Sequence, residues 1–166
     1  MSPSIRPLTT LTALLAASTL AVAAGKVEVQ FPSVPFYADA GDGTVEIERT
    51  KRVLADHIAT WQDRLPAGQT LRVEVLDIDL AGEIDHFHPQ RIRVLGATAD
   101  SPRLHLRFEL RQDGRVLDAG EARLLDTGYL WRVAKRYEQR ALHHERRMLD
   151  DWYDARLGAS RTAALR

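Results

Sequence analysis

The chain has 166 residues with 23 basic and 23 acidic side chains, and 45% of its residues are hydrophobic. This length favours one domain with a substantial core, and a formal net charge of zero gives no general attraction to nucleic acid. The absence of cysteine excludes disulfide bonds and thiol chemistry.

The first 24 residues differ in character from the rest. Arg6 is the only charged side chain before Lys26, and an apolar run rich in Leu, Ala and Thr follows it to Ala24. A basic start, a short apolar middle and small residues at the exit are typical of a cleaved secretory signal peptide. We therefore expect a periplasmic protein, cleaved near Ala23 or Ala24, without a transmembrane segment afterwards. A membrane anchor is the alternative, but the apolar run is short for a span.

Residues 25–158 are predicted to form a single α+β domain, followed by a frayed tail over 159–166. Two main helices are expected on one face of a four- to five-stranded, mostly antiparallel sheet. The C-terminal helix is expected from about Ala141 to Leu157. The first helix carries apolar residues at helical spacing, namely Ile47, Leu54, Ile58, Trp61 and Leu65.

The run 70–82 is the longest strand-like stretch, and its hydrophobic pattern changes phase in the middle. Apolar residues occupy odd positions at first and even positions from Leu76 onward. One extra residue, a bulge, produces such a shift and can re-aim side chains, here Asp77 and Asp79. We favour structural aspartates that orient the turn at Gly82. The alternatives are solvated carboxylates on a strand that leaves the sheet, or a binding site.

A β-hairpin, that is, two consecutive antiparallel strands, is predicted over residues 103–125. Leucines and Phe108 alternate with charged residues up to Arg111, and Asp113-Gly114 is a strong signal for a two-residue hairpin turn. The return strand also changes phase, and we expect a bulge at Gly120. The expected facing pairs are Leu117 with Leu110, Ala119 with Phe108, and Leu124 with Leu104.

Several motifs resemble one family of exported bacterial proteins, catalogued as domain of unknown function 3016. They are the segments Leu65–Gln69, Leu76–Gly82, Leu125–Leu130 and Glu145–Tyr153. The resemblance covers residues 27–157 and implies an exported single domain. It transfers no catalytic residue. The chain departs from the pattern at Gly128 and at the pair His143-His144.

Histidines follow the turn at Gly82. His86 and His88 would project from the same side of an extended chain, and Asp77 or Asp79 could reach them after the turn. Imidazole and carboxylate together suit transition metals, which makes the two histidines candidate metal ligands. A metal-assisted hydrolase built on these four side chains is the alternative function. No dinucleotide or phosphate-loop fingerprint is present, and no cofactor is predicted.

A basic segment approaches the C-terminal helix. Its candidate binding residues are Arg132, Lys135, Arg136 and Arg140, with Trp131 and Tyr137 among them. Phosphates or anionic lipid headgroups would be natural periplasmic partners. An ordinary solvated face, balanced by downstream aspartates, is the other interpretation.

Taken together, these patterns favour a soluble periplasmic protein that acts by binding and not by catalysis. Its partner would be an anionic envelope component or another protein. A third interpretation is an envelope accessory that docks to a larger assembly through its sheet edge or its basic segment.

Overall fold

The computed structural model describes residues 24–33, 37–96, 100–131 and 140–158. Helix α1 covers Thr44–Ala59 and continues as a 3-10 helix over Thr60–Arg64, and helix α2 covers His143–Arg156. The strands are β1 Lys26–Gln30, β2 Gln69–Asp79, β3 Glu83–Ile84, β4 Arg93–Val94, β5 Arg103–Gln112 and β6 Arg115–Leu125.

The strands form one large sheet and one small one. The large sheet has the order β1-β2-β5-β6, with β1 parallel to β2 and the other neighbours antiparallel. The two-residue strands β3 and β4 pair separately in an antiparallel ribbon. With two helices, this is the predicted α+β domain with a mostly antiparallel sheet. No helix in the described ranges is long and apolar enough to cross a membrane.

Strand β2 contains the predicted bulge. Val75 faces Leu106 and Asp77 faces His105, so Leu76 is the extra residue without a partner on β5. The bulge returns Ile78 to the buried face, where its side chain is fully covered. Because β2 continues to Asp79, the alternative in which the strand leaves the sheet near Leu76 is wrong.

The hairpin between β5 and β6 has the predicted turn but a different bulge. Asp113 and Gly114 both have positive φ, which suits the tight turns that join twisted strands. The register shifts immediately after this turn, at Leu117, so the predicted bulge at Gly120 is wrong.

The shifted register also changes the facing residues. Leu110 faces Asp118 and Phe108 faces Gly120, whereas the predicted pair Leu104 with Leu124 is confirmed. The prediction failed because Leu117 and its neighbours are exposed on this edge strand. Their hydrophobicity therefore does not reveal which side of the sheet they face.

The hydrophobic core lies between the sheet and the two helices. Apolar side chains of β2 and β5 that alternate along the strands meet the helices on one face, as predicted. The fully covered members include Leu54, Ile58, Trp61, Leu71, Val73, Leu106, Leu149 and Tyr153. At about 25 cal/mol per Å² of buried apolar surface, this contact is the main stabilising term of the fold.

The opposite face of the sheet is open and charged. Ion pairs cross from strand to strand, such as Arg72 with Glu28 and Arg107 with both Glu74 and Glu121. Hydrogen bonds from Lys26 and Arg72 lower the pKa of Glu28. Each exposed ion pair contributes little to the stability of the fold. Together, however, the alternating positive and negative side chains neutralise the charge of this face.

Candidate functional site

A cleft of about 650 Å³ opens between the C-terminal end of α1 and helix α2. The 3-10 helix that follows α1 forms part of one wall, since Thr60 and Arg64 belong to the lining. The lining side chains are polar or charged, namely Asp56, His57, Thr60, Arg64, Arg140, Arg146, Asp150 and Asp154. The residues that meet here are up to 98 positions apart in the sequence, from Asp56 to Asp154.

Asp150 organises the floor of the cleft. Its Oδ1 accepts a hydrogen bond of 2.9 Å from the indole Nε1 of Trp61, which is fully buried. The same oxygen lies 3.4 Å from His57 Nε2 and 3.5 Å from Arg64 Nη1. A buried carboxylate needs such donors because its desolvation is otherwise costly. These contacts tie α1 and its 3-10 extension to α2.

Arg64 is fully engaged on the same wall. It pairs with Asp154 as well as Asp150, and its guanidinium lies 4.1 Å from the ring centroid of Tyr153. Such stacking adds to the electrostatic pairing. The positive charge of Arg64 is therefore neutralised within the fold.

The other two arginines of the cleft are not neutralised in this way. Arg140 and Arg146 form no ion pair with any residue in the described part of the chain. Arg146 Nε is in addition buried without a hydrogen-bond partner there. The lining as a whole contains three arginines and three aspartates, so its formal charge is zero with histidine neutral, and the unpaired positive charge is local to Arg140 and Arg146.

The cleft offers binding groups and lacks an activated nucleophile among its described lining residues. The one hydroxyl there, on Thr60, donates a 2.6 Å hydrogen bond to the backbone carbonyl of His57. His57 Nε2 lies 3.1 Å from the carbonyl oxygen of Arg146, so this nitrogen is used as a donor. Neither group is placed to activate the other.

The two predicted aspartates of β2 lie elsewhere, on the open side of the sheet. Asp77 Oδ1 accepts hydrogen bonds of 2.9 Å from the backbone nitrogens of Ala38 and Ile78. Asp79 Oδ2 accepts a 2.7 Å bond from Arg103. Both aspartates therefore have structural contacts, and Asp77 fastens the loop before α1 to the bulge.

The turn at Gly82 is held by other residues. Gly82 has φ of +77°, and an added Cβ would lie 2.3 Å from the carbonyl oxygen of Val94. Arg93 donates to the carbonyl of Gly82 at 2.7 Å and forms a bidentate pair with Asp39. A glycine is required here by both the backbone conformation and the close approach.

The predicted histidines are in the connection between β3 and β4. His86 Nδ1 lies 3.1 Å from Arg91 Nη2, and His88 Nδ1 accepts a 3.2 Å bond from the backbone nitrogen of Gln90. Among the described residues, no group of three or more His, Cys, Asp or Glu side chains could hold a metal ion. The structure thus does not bring these histidines together with Asp77 and Asp79.

Of the predicted basic residues, Arg140 lines the cleft. Arg132, Lys135 and Arg136 lie outside the described residues. The cleft itself was not predicted, because the apolar pattern on α1 indicates only which side of this helix is buried.

A second polar cluster lies at the start of α2. Arg147 donates to Asp126 at 2.8 Å and to the carbonyl of Tyr129 at 3.3 Å. Glu145, which is only 2% exposed, accepts a 2.8 Å bond from the backbone nitrogen of Ala81. Burial raises the pKa of Glu145. These contacts join α2 to the ends of β2 and β6.

His144 is buried within this cluster. Its ring meets the Tyr129 ring edge-on at 4.8 Å, and both ring nitrogens lack a hydrogen-bond partner in the described structure. Burial, with the charges of His143 and Arg147, lowers the pKa of His144 to about 4. Histidine in an unfolded chain has a pKa of about 6.5. Between pH 4 and pH 6.5 the unfolded state therefore binds more protons than the folded state does. The contribution of His144 to the free energy of unfolding is present above pH 6.5 and is lost as the pH falls toward 4.

These features define a small α+β domain with a polar cleft between its two helices. The chain belongs to the family described as "Protein of unknown function (DUF3016)", whose model matches residues 25–155. The resemblance drawn from the sequence motifs is thereby confirmed. No curated protein and no solved structure matches the chain.

Proposed function

We propose that this chain is an exported, periplasmic binding protein that holds a phosphate-bearing anionic group of the envelope in the cleft between α1 and α2. The observation that carries the proposal is the pair of arginines on the cleft wall. Arg140 and Arg146 have no carboxylate partner in the described structure, and Arg146 Nε is a buried donor without an acceptor.

An anionic ligand would neutralise Arg140 and Arg146, and it would supply an acceptor for the unpaired Nε of Arg146. A buried donor without a partner costs about 1–3 kcal/mol, which an acceptor oxygen would recover. Guanidinium groups bind phosphate oxygens through two parallel hydrogen bonds, and they lose less hydration than an ammonium group does. The cleft volume of about 650 Å³ accommodates a headgroup-sized ligand.

The sequence that precedes Arg140 supports the same kind of ligand. Arg132, Lys135 and Arg136 precede Arg140 within nine residues, so the sequence leading to this cleft residue is rich in cations. Each basic residue close to an anionic membrane surface contributes about 1 kcal/mol to the attraction between protein and membrane. The signal-peptide pattern before Lys26 would deliver the domain to that surface.

Catalysis receives no support from the arrangement. The metal-assisted hydrolase requires Asp77, Asp79, His86 and His88 in one site, and their contacts are with separate partners. In the cleft, the hydroxyl of Thr60 is hydrogen-bonded to the backbone. Binding is therefore the function that the geometry favours.

The test is cosedimentation of the mature protein with vesicles of phosphatidylglycerol or of phosphatidylcholine. We expect retention on the anionic vesicles alone at low salt. Release is expected as the salt approaches about 1 M, where the screening length falls to about 3 Å. The double variant Arg140→Ser and Arg146→Ser should bind at least about tenfold more weakly, a change of about 1.4 kcal/mol.

The matched control removes two arginines that lie away from the cleft. Arg52 on α1 and Arg115 at the hairpin are exposed and form no ion pair within the described residues. The variant Arg52→Ser with Arg115→Ser therefore changes the net charge equally and should keep most of the binding. Equal losses in the two double variants would show that total charge, and not the cleft, is responsible.

A further inference from the structure

Strand β6 forms a terminal edge of the large sheet. It is 11 residues long, and no described strand pairs with its outer side. Its sequence has neither proline nor lysine, which commonly protect such edges, and its bulge at Leu117 leaves the stretch 119–125 regular. We propose that a second copy of this chain pairs with this stretch, antiparallel about a two-fold axis at Ala122.

The charges select that register. In an antiparallel pair related by a two-fold axis, an axis at Glu121 would place this carboxylate against itself, and an axis at Arg123 would oppose two guanidinium groups. An axis at Ala122 instead places Glu121 opposite the partner's Arg123, and this contact occurs twice. Arg123 is exposed and forms no ion pair among the described residues, so it has a charge available for this contact.

Side-chain sizes fit the same register. Gly120 would lie opposite the partner's Leu124, and Ala119 opposite the partner's Leu125, so each large residue meets a small one. Leu125 is 53% exposed in the single chain. A hollow of about 300 Å³ between β6 and α2 also leaves Leu124 accessible from this edge. Pairing would cover both leucines and continue the sheet from four strands to eight.

The interface is short, so the dimer is expected to be weak. Interfaces below about 1,200 Å² are characteristic of transient complexes, and seven residues from each chain fall in this class. Sedimentation velocity over a range from about 1 μM to 1 mM should therefore show a concentration-dependent change from monomer to dimer.

Charge reversal tests the register. Glu121→Arg and Arg123→Glu alone each create two like-charge contacts, and each should weaken the dimer at least about tenfold. A mixture of these two variants should form a heterodimer, because every contact then joins opposite charges. The double variant should dimerise like the wild type.

Folding is checked by circular dichroism and thermal melts of each variant. Glu121 also pairs with Arg107 and His105, but those contacts are exposed and add little stability. Arg123→Glu breaks no described ion pair and remains informative if Glu121→Arg unfolds. A wild type that stays monomeric at 1 mM, or a dimer insensitive to both reversals, would overturn the proposal.

Discussion

Replacing Asp77 tests whether this carboxylate fastens the loop before α1 to the bulge of β2. Its Oδ1 accepts bonds of 2.9 Å from the backbone nitrogens of Ala38 and Ile78. A hydrogen bond to a charged group contributes about 1.5–3 kcal/mol. The Ala38 nitrogen is exposed, so water can replace that bond in part. We therefore expect Asp77→Ala to lower the free energy of unfolding by about 1.5–3 kcal/mol in total.

Two further variants serve as references for the cost of Asp77→Ala. Asp77→Asn keeps an uncharged acceptor oxygen and should cost less than Asp77→Ala. Asp79→Asn is the matched control on the same strand, because the side chain of Asp79 forms only the surface pair with Arg103 among the described residues, and it should cost about 0.5 kcal/mol or less. Urea unfolding followed by circular dichroism measures all three differences.

The same unfolding experiments separate the structural role from metal binding. The midpoint of the wild type should be equal in chelator and in Zn²⁺, Mn²⁺ or Ca²⁺, because a ligand that binds only the folded state would raise it. Equal, near-zero costs for the Asp77 and Asp79 variants would refute the structural reasoning. A metal-induced rise that both variants abolish would reinstate the metal site.

The remaining predictions concern separate parts of the chain. Lowering the pH from 7 to 4 should cost the wild type about 2–3 kcal/mol through the low pKa of His144, and His144→Phe should flatten this dependence in pH-resolved urea melts. Gly82→Ala should cost about 2 kcal/mol or more in the same assay, since it combines a strained φ with a backbone clash. Arg147→Met should destabilise by about 3–5 kcal/mol, because it leaves the buried carboxylate of Asp126 without its partner. Intact-mass measurement of protein from a periplasmic extract should show cleavage near Ala23 or Ala24, and a full-length, membrane-retained species would contradict cleavage and reinstate the membrane anchor.

Local patterns in the sequence predicted much of the fold. The phase change at Leu76 located the β2 bulge because buried residues on both sides of it constrain the register. The same reasoning failed on β6, where Leu117 is exposed and hydrophobicity does not report the side of the sheet. Turn chemistry succeeded at Asp113-Gly114 because its backbone preference is local.

The candidate site was much less predictable, because it depends on contacts between distant segments. The bond from Trp61 to Asp150 joins residues 89 positions apart. Nothing in the periodicity of either helix indicates that an aspartate on α2 will meet an indole from the other helix. The partners of Asp77 and Asp79 were not predictable either, since Ala38 and Arg103 come from separate segments of the chain.

Binding of an anionic headgroup in the cleft between α1 and α2 can be observed at the cleft itself. The most direct test is an NMR titration with short-chain phosphatidylglycerol below its micelle concentration, compared with the phosphatidylcholine analogue. The indole N–H of Trp61 is a reporter beneath the cleft, because it bonds to Asp150 on the floor. We expect a saturable shift of this signal with phosphatidylglycerol only, and we expect it to be lost in the Arg140→Ser and Arg146→Ser double variant. An unmoved indole signal while other surfaces respond, or equal shifts with both lipids, would contradict it.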